Sequence, residues 1–310
     1  MFPEKTIRIG TRKSPLALAQ SKLVGEGIKS EFPEYNIEYM PMSTIGDKRL
    51  DISLQEIGGK GVFTRELEEA LLEGRIDLAV HSGKDLPLTF DKRLKICPVL
   101  KRALTNDVLI LKKEYAAQYK ELSAEMIIRS FAPGFKIGTS SKRRSGQILM
   151  LDKNIETVPI RGNILTRILK AVNGEVDALI LAKAGLDRLG YDDMLLDTLR
   201  QAEVYDIPRD VILPAPAQGI LCAEYADKKI GEILQKLQDG HCTTCFFAER
   251  EYLKLLQADC HTSAGIDIFF DGSEYGINAY FENKYANIEN IKEGNLFLAI
   301  DNLAKKFKNC

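Results

Sequence analysis

The chain has 310 residues, 45% hydrophobic and 28% charged, with 43 basic against 44 acidic side chains. This composition belongs to a folded globular protein of two or three domains and excludes a disordered chain. A formal net charge of -1 excludes a protein that coats nucleic acid or an anionic membrane through bulk positive charge, yet leaves room for a local basic cleft. The opening residues carry no apolar signal core, and no apolar run approaches the roughly 18 residues needed to span a bilayer, so a cytoplasmic location is expected. Six cysteines, Cys97, Cys222, Cys242, Cys245, Cys260 and Cys310, are too few and too unevenly placed for a disulfide framework. Each is buried filler, metal ligand or reactive thiol.

Short apolar or β-branched runs alternate with helical periodicity, the pattern of an α/β protein on parallel sheets. Residues 7–9 predict a strand; Ser14 then caps a helix with Pro15 at its first position and Leu16, Ala19 and Leu23 as its apolar stripe. Residues 72–80, LEGRIDLAV, predict a helix end, Gly74, and a strand over 76–80. Both devices return in order: Ile137-Gly138-Thr139 before Ser140 and Ser141, and 172–180, VNGEVDALI, with Gly174 and Asp177 matching Gly74 and Asp77. The repetition reads as two similar α/β lobes, against the plainer view that helix-Gly-strand passages look alike in α/β proteins. Residues 156–160 predict a further strand, with Asn163 capping the next helix. After Pro208, Pro214 and Pro216, a helix around 248–256, strands over 266–270 and 277–281, and a terminal helix over 291–307 suggest a small α+β domain. Residues 232–310 hold 8 basic and 12 acidic side chains, so the -4 tail hides a body of net charge +3.

That excess gathers at strand-to-helix turns, where free backbone N–H groups and the helix dipole favour anions. Arg12, Lys13 and Ser14 form the first cluster, Thr139 to Arg144 the second, and Arg161, Asn163 and Arg167 the third. Residues 138–167 contain six basic and two acidic side chains, a density suited to several carboxylates or phosphates, since Arg grips both bidentately. A solvated basic face is the alternative for any single cluster. Gly58-Gly59-Lys60-Gly61 supplies a flexible, lid-like loop with one cation and lacks the P-loop spacing. The string HSGKDLP, 81–87, lies at the carboxyl end of a strand, where α/β sheets place ligands. There Asp85, beside Lys84, suits acid–base work or stabilisation of a developing cation; the competing reading is a turn residue. Cys242, Cys245, Cys260, His241 and His261 raise zinc, but adjacent Cys260 and His261 cannot easily share one ion, and no metal is expected.

Taken together, the strings IRIGTRKSPLALAQ, GGKGVFTRELEEALLEGRIDLAVHSGKDLP, IGTSSKRRSGQIL, PIRGNILTRILK, DALILAKAGLDRLG, LPAPAQG and AEREYLKLLQADC resemble the porphobilinogen deaminases, or hydroxymethylbilane synthases. The resemblance runs from Ile7 to about Gly265. It implies a transferase of tetrapyrrole (haem) biosynthesis that deaminates and couples four porphobilinogens on a dipyrromethane cofactor, held by thioether to a cysteine. It also implies a fold of two lobes like type II periplasmic binding proteins plus a small α+β C-terminal domain. By motif position Asp85 falls on the catalytic aspartate and Cys260 on the cofactor cysteine. Lys84, Thr139, Ser141, Arg143, Arg144 and Arg188 fall on cofactor-binding positions. Arg12, Ser14, Lys60, Ser140, Arg161 and Arg167 fall on substrate-binding positions. Crossings near 102–107 and 207–213 imply lobe 1 as 1–102 with 213–232, lobe 2 as 107–207 and a third domain as 233–310. A cytoplasmic monomer is expected, with porphobilinogen as its partner and neither nucleic acid nor membrane.

The sequence departs from the family pattern at four places. Gly83 stands where a larger apolar residue is usual, which removes packing beside Asp85. Glu56 occupies a place often held by lysine. Ala217 replaces a glycine of the return turn and calls its tightness into question. Ala258-Asp259 replaces two glycines before Cys260, placing a carboxylate beside the thiol, which would raise its pKa. These departures keep one alternative open, a catalytically impaired anion-binding protein on the same scaffold.

Overall fold

The computed structural model describes residues 5–44, 64–119, 121–190, 193–258 and 262–309, which fall into two compact units, Met1–Ala103 with Gly219–Phe247 and Leu104–Gln218 with Ala248–Cys310. The first unit opens with β1 (Lys5–Arg12), α1 (Pro15–Glu31), β2 (Tyr35–Met42), α2 (Arg65–Leu72), β3 (Leu78–Ser82) and β4 (Lys95–Val99). The second carries β5 (Asp107–Lys112), α3 (Lys113–Ala116), α4 (Ala124–Arg129), β6 (Lys136–Gly138), α5 (Lys142–Leu151), β7 (Glu156–Val158), α6 (Ile164–Val172), β8 (Ala178–Ala182), α7 (Lys183–Leu189), α8 (Asp193–Leu199) and β9 (Ala202–Asp206). The chain then returns through β10 (Leu221–Tyr225), α9 (Lys228–Gln235) and α10 (Gly240–Leu256). It ends in β11 (Ala264–Phe270), β12 (Tyr275–Phe281), β13 (Lys284–Ile291) and α11 (Leu296–Lys308).

Each unit holds a five-stranded mixed sheet, ordered β2-β1-β3-β10-β4 in the first and β7-β6-β8-β5-β9 in the second. In both, three neighbouring strands run parallel and the last two pairings are antiparallel. Helices cover both faces. In the first unit Val24 and Ile28 of α1 and Ile230, Ile233 and Leu234 of α9 cover one face, and Leu67, Ala70 and Leu71 of α2 cover the other. In the second, α4 and α5 close one face and α6 the opposite one. Burying a Leu, Ile or Val side chain of this kind contributes about 1.5–3 kcal/mol. A smaller antiparallel sheet, β11-β12-β13, packs its Tyr280 carbonyl on the Tyr252 hydroxyl of α10 at 3.0 Å. The fold is thus α/β, two lobes with the same pattern of parallel and antiparallel pairing and a small C-terminal sheet domain.

The duplication reaches the backbone atoms. Ile9 and Gly10 pair with Leu78 and Ala79 as Ile137 and Gly138 pair with Ala178 and Leu179. The Asp77 carboxylate accepts from the Arg8 N–H at 2.7 Å, and that of Asp177 accepts from the Lys136 N–H at 2.7 Å. The Asp77 and Asp177 N–H groups return the bond to the Arg8 and Lys136 carbonyls, each at 2.9 Å. Gly74 and Gly174 end α2 and α6 with φ of +67° and +83°, the left-handed conformation that glycine adopts without steric cost.

Two expected elements change. The strand expected over 156–160 stops at Val158, because Ser140 rather than a neighbouring strand takes both backbone groups of Ile160. Residues 284–291 form β13, so the terminal helix begins at Leu296 instead of 291.

Candidate functional site

In the first unit, β1 and β3 lie side by side and parallel, so the residues leaving their carboxyl ends share one sheet edge. Arg12 ends β1, and Ser14 caps α1, its hydroxyl accepting from the Ala17 N–H at 3.3 Å. An N-cap hydroxyl accepts through a lone pair and keeps its proton for an anion. β3 continues into a single 3-10 turn, Gly83–Asp85, in which Lys84 is half-buried and Asp85 exposed. The turn is tied to its neighbours. Gln20 of α1 exchanges hydrogen bonds with the Ser82 hydroxyl at 2.9 and 3.2 Å, and the Gly83 N–H donates to the Ile220 carbonyl at 2.8 Å. Gly83 is buried, and its substitution for a bulkier residue leaves the backbone before Asp85 anchored.

Four residues before Asp85, His81 meets Glu224 of β10 at 3.0 Å, both buried. Among the described residues, the Glu224 Oε1 atom has no hydrogen-bond partner. Glu68 of α2 joins this group electrostatically: burial raises its carboxyl above the ordinary range and Glu224 adds to the rise, while the Thr64 hydroxyl at 2.6 Å and His81 oppose it.

In the second unit the matching edge carries further hydroxyls and cations. Ser141 caps α5, accepting from the Arg144 N–H at 3.4 Å. The buried Thr139 hydroxyl accepts from the Ser141 N–H at 3.2 Å. Ser140 donates to the Ile160 carbonyl at 2.8 Å and accepts from the Ile160 N–H at 3.1 Å, so its hydroxyl pins two loops together. The Arg161-Gly162-Asn163 turn needs its glycine: φ is +115° and a Cβ would stand 2.6 Å from Thr166 Cγ2. Asn163 caps α6, accepting from the Thr166 N–H at 2.8 Å, and Arg167 Nε donates to the Gly162 carbonyl at 2.7 Å. Arg161, Arg167 and Arg188 are half-buried.

Arg143 and Arg144, at the start of α5, have their partner within the same unit. Both are buried against Asp107, 0% exposed at the start of β5. Arg144 is bidentate, Nε to Oδ2 at 2.9 Å and Nη2 to Oδ1 at 2.8 Å. Arg143 Nη2 reaches Oδ2 at 2.8 Å, and its Nη1 donates to the Leu213 carbonyl. Desolvation raises the Asp107 carboxyl, but the two guanidinium groups overcome this and hold it well below the usual carboxylate range. Gln218 completes the group, donating to Asp107 Oδ1 at 2.9 Å and to the Thr105 carbonyl at 2.6 Å. Sequence reasoning missed Asp107; its signal was a carboxylate opening the apolar run DVLILK.

Lys60, the 58–61 loop, Glu56, Asp259, Cys260 and His261 lie outside the described residues. The chain flanking Cys260 is described. Ala258 is buried, and the Ser263 hydroxyl donates to the Lys142 carbonyl at 3.1 Å, at the start of the helix bearing Arg143 and Arg144. A Cβ on Gly265 would lie 3.3 Å from Arg143 Cδ. The residues after 261 thus pack onto α5, beside a buried cluster with more cations than anions, a donor set that fits a polyanionic group. Ala217 takes φ +59°, its N–H donating to Glu249 at 2.5 Å; the return turn keeps a left-handed geometry without its glycine.

The family model described as "Porphobilinogen deaminase, dipyromethane cofactor binding domain" matches residues 7–232. A porphobilinogen deaminase from Legionella pneumophila strain Lens is 42% identical over 259 residues, covering 83% of this chain and 78% of that one. The enzyme of the same name from Alkaliphilus metalliredigens is 38% identical over 263 residues, covering 84% and 77%. Among solved structures, a periplasmic aliphatic sulphonate binding protein from Escherichia coli overlaps 82% of this chain and 71% of its own at 16% identity and a TM-score of 0.42. By the family model and by identity to these relatives over most of both chains, the chain belongs to the porphobilinogen deaminases, the hydroxymethylbilane synthases of tetrapyrrole biosynthesis.

Proposed function

We propose that this chain builds a linear tetrapyrrole from four porphobilinogens with Asp85 as its acid–base group and releases the product by hydrolysis. The observation that carries the reading is the placement of Asp85: exposed, beside Lys84, in a turn pinned by Gln20 and Ile220 at the sheet edge that also bears Arg12. The Asp85 carboxylate accepts the hydrogen bond of the substrate's pyrrole N–H. A negative charge there stabilises the positive charge that develops as ammonia leaves, and it takes up a proton after coupling. Arg12, Ser14, Lys60, Arg161 and Arg167 hold the acetates and propionates of the pyrrole rings, with Ser140 fixing the loops that carry them.

Cys260 is the anchor, and Lys84, Thr139, Ser141, Arg143, Arg144 and Arg188 hold the dipyrromethane group. When bound, that group supplies the pyrrole carbon from which chain growth starts. In this reading residues 1–102 with 213–232 carry the acid–base carboxylate, 107–207 the carboxylate grips and 233–310 the anchor. The protein works in the cytoplasm as a monomer, without nucleic acid. Among the described residues no helix is long and apolar enough to cross a membrane. The test is a tetrapyrrole-formation assay. The wild-type chain turns porphobilinogen over and Asp85→Ala does not. Binding of porphobilinogen without turnover by the wild-type chain would favour the impaired anion-binding alternative.

A further inference from the structure

The Arg143–Asp107–Arg144 group sets two guanidinium groups against one carboxylate, at 4%, 7% and 0% exposure. Its geometry is unequal. Arg144 is matched to both oxygens of Asp107, with its Nη1 on the Ile180 carbonyl at 3.1 Å. Arg143 reaches only Oδ2, and its Nη1 is held by the Leu213 carbonyl, which also accepts from Gln147 at 3.2 Å. The excess of cationic charge is felt where it is least matched: burial lowers the Arg143 pKa, Arg144 lowers it further, and Asp107 opposes both. A buried ion group with unequal charge is costly unless a further counter-charge completes it.

We propose that Asp107 is the positioning residue of the basic cluster: it fixes both guanidinium groups and leaves them one net positive charge, matched to a single carboxylate of the bound pyrrole chain. The inference rests on the proposed function for the identity of that carboxylate, and on this chain's own side chains for the rest. Asp107 touches no reacting atom. Its carboxylate orients Arg144 side-on and Arg143 end-on, and Gln218 holds its Oδ1 in place.

The test compares wild type, Asp107→Asn and Asp107→Glu by two readouts on purified protein: the fraction bearing a covalent adduct by intact mass, and the rise in Tm on titrating sulfate into protein without adduct. Asp107→Asn removes the charge while keeping the shape. It is expected to load at least tenfold less adduct, and sulfate is expected to raise its Tm by about 2 °C more than that of wild type, because two cations now lack a counter-charge. Asp107→Glu restores the charge but displaces it. Its sulfate response should return to that of wild type while loading stays low. Loading of Asp107→Asn at the wild-type level, or equal sulfate responses in Asp107→Asn and wild type, would overturn the proposal. If Asp107→Asn does not fold, Asp107→Glu decides alone: full loading overturns the positioning role and reduced loading in a folded protein supports it. A wild-type chain that never gains an adduct counts against the proposed function, whereas the sulfate response is read without adduct and judges Asp107 separately.

Discussion

In the first lobe, β3 leaves its sheet through Gly83–Asp85 and presents an exposed carboxylate, supported by a buried His81–Glu224 pair. In the second, the matching strand β8 runs straight into α7, and the sheet is backed by a buried carboxylate clasped by two arginines. Strand directions and the register of the paired parallel strands match, although the strand antiparallel to the trio comes last in chain order in the first sheet (β10) and first in the second (β5). The scaffold therefore fixes where a ligand-facing edge lies, while the few residues after each strand decide its chemistry. One edge is suited to moving a proton and the other to holding negative charge.

The sharpest way to break this comparison is to remove one function at a time. Asp85→Ala should lower turnover by about 10³-fold, the scale of a positioned acid–base group, while leaving the sulfate-induced rise in Tm of adduct-free protein unchanged; a lost sulfate response would mean that the lobes do not divide the work. Acid titration separates the lobes next. Because the folded pKa of Asp107 is depressed, its contribution to stability is fully present above its unfolded value of about 4 and is lost as pH falls below it. Thermal melts between pH 7 and pH 3 should show a drop below pH 4 in wild type that is smaller in Asp107→Asn.

Glycine substitutions probe the shared scaffold. A Cβ on Gly10 would stand 2.3 Å from Ile76 Cδ1, whereas one on Gly138 would stand 3.1 Å from Val176 Cγ2. Gly10→Ala should cost about 2 kcal/mol by overpacking and Gly138→Ala about half as much; denaturant melts showing the reverse order would contradict the packing described. The smallest effect is a gain. Ala217→Gly relieves a left-handed alanine and should stabilise by about 0.5 kcal/mol, after the added freedom of the unfolded chain is set against the strain relieved.

What the sequence made legible was local. Ser14 and Asn163 read as caps because a cap is written within four residues. Gly74 and Gly174 revealed the duplication because a helix end and its strand are neighbours in the chain. The Asp107 cluster was not legible, since its partners lie 36 and 37 residues away and Gln218 lies 111 away. Arg143 and Arg144 consequently read as carboxylate grips, with no sign of the buried carboxylate that clasps them. β13 escaped for another reason: most of its residues are exposed on both faces, so it lacks the apolar alternation that marks a half-buried strand.

The central claim is that Cys260 anchors a pyrrole primer that this chain extends. Intact-protein mass spectrometry before and after brief exposure to porphobilinogen tests it directly. The account predicts a mass excess of two pyrrole units that is absent from Cys260→Ala, followed by species heavier by successive single pyrrole units. A protein at its bare chain mass in both spectra would contradict it.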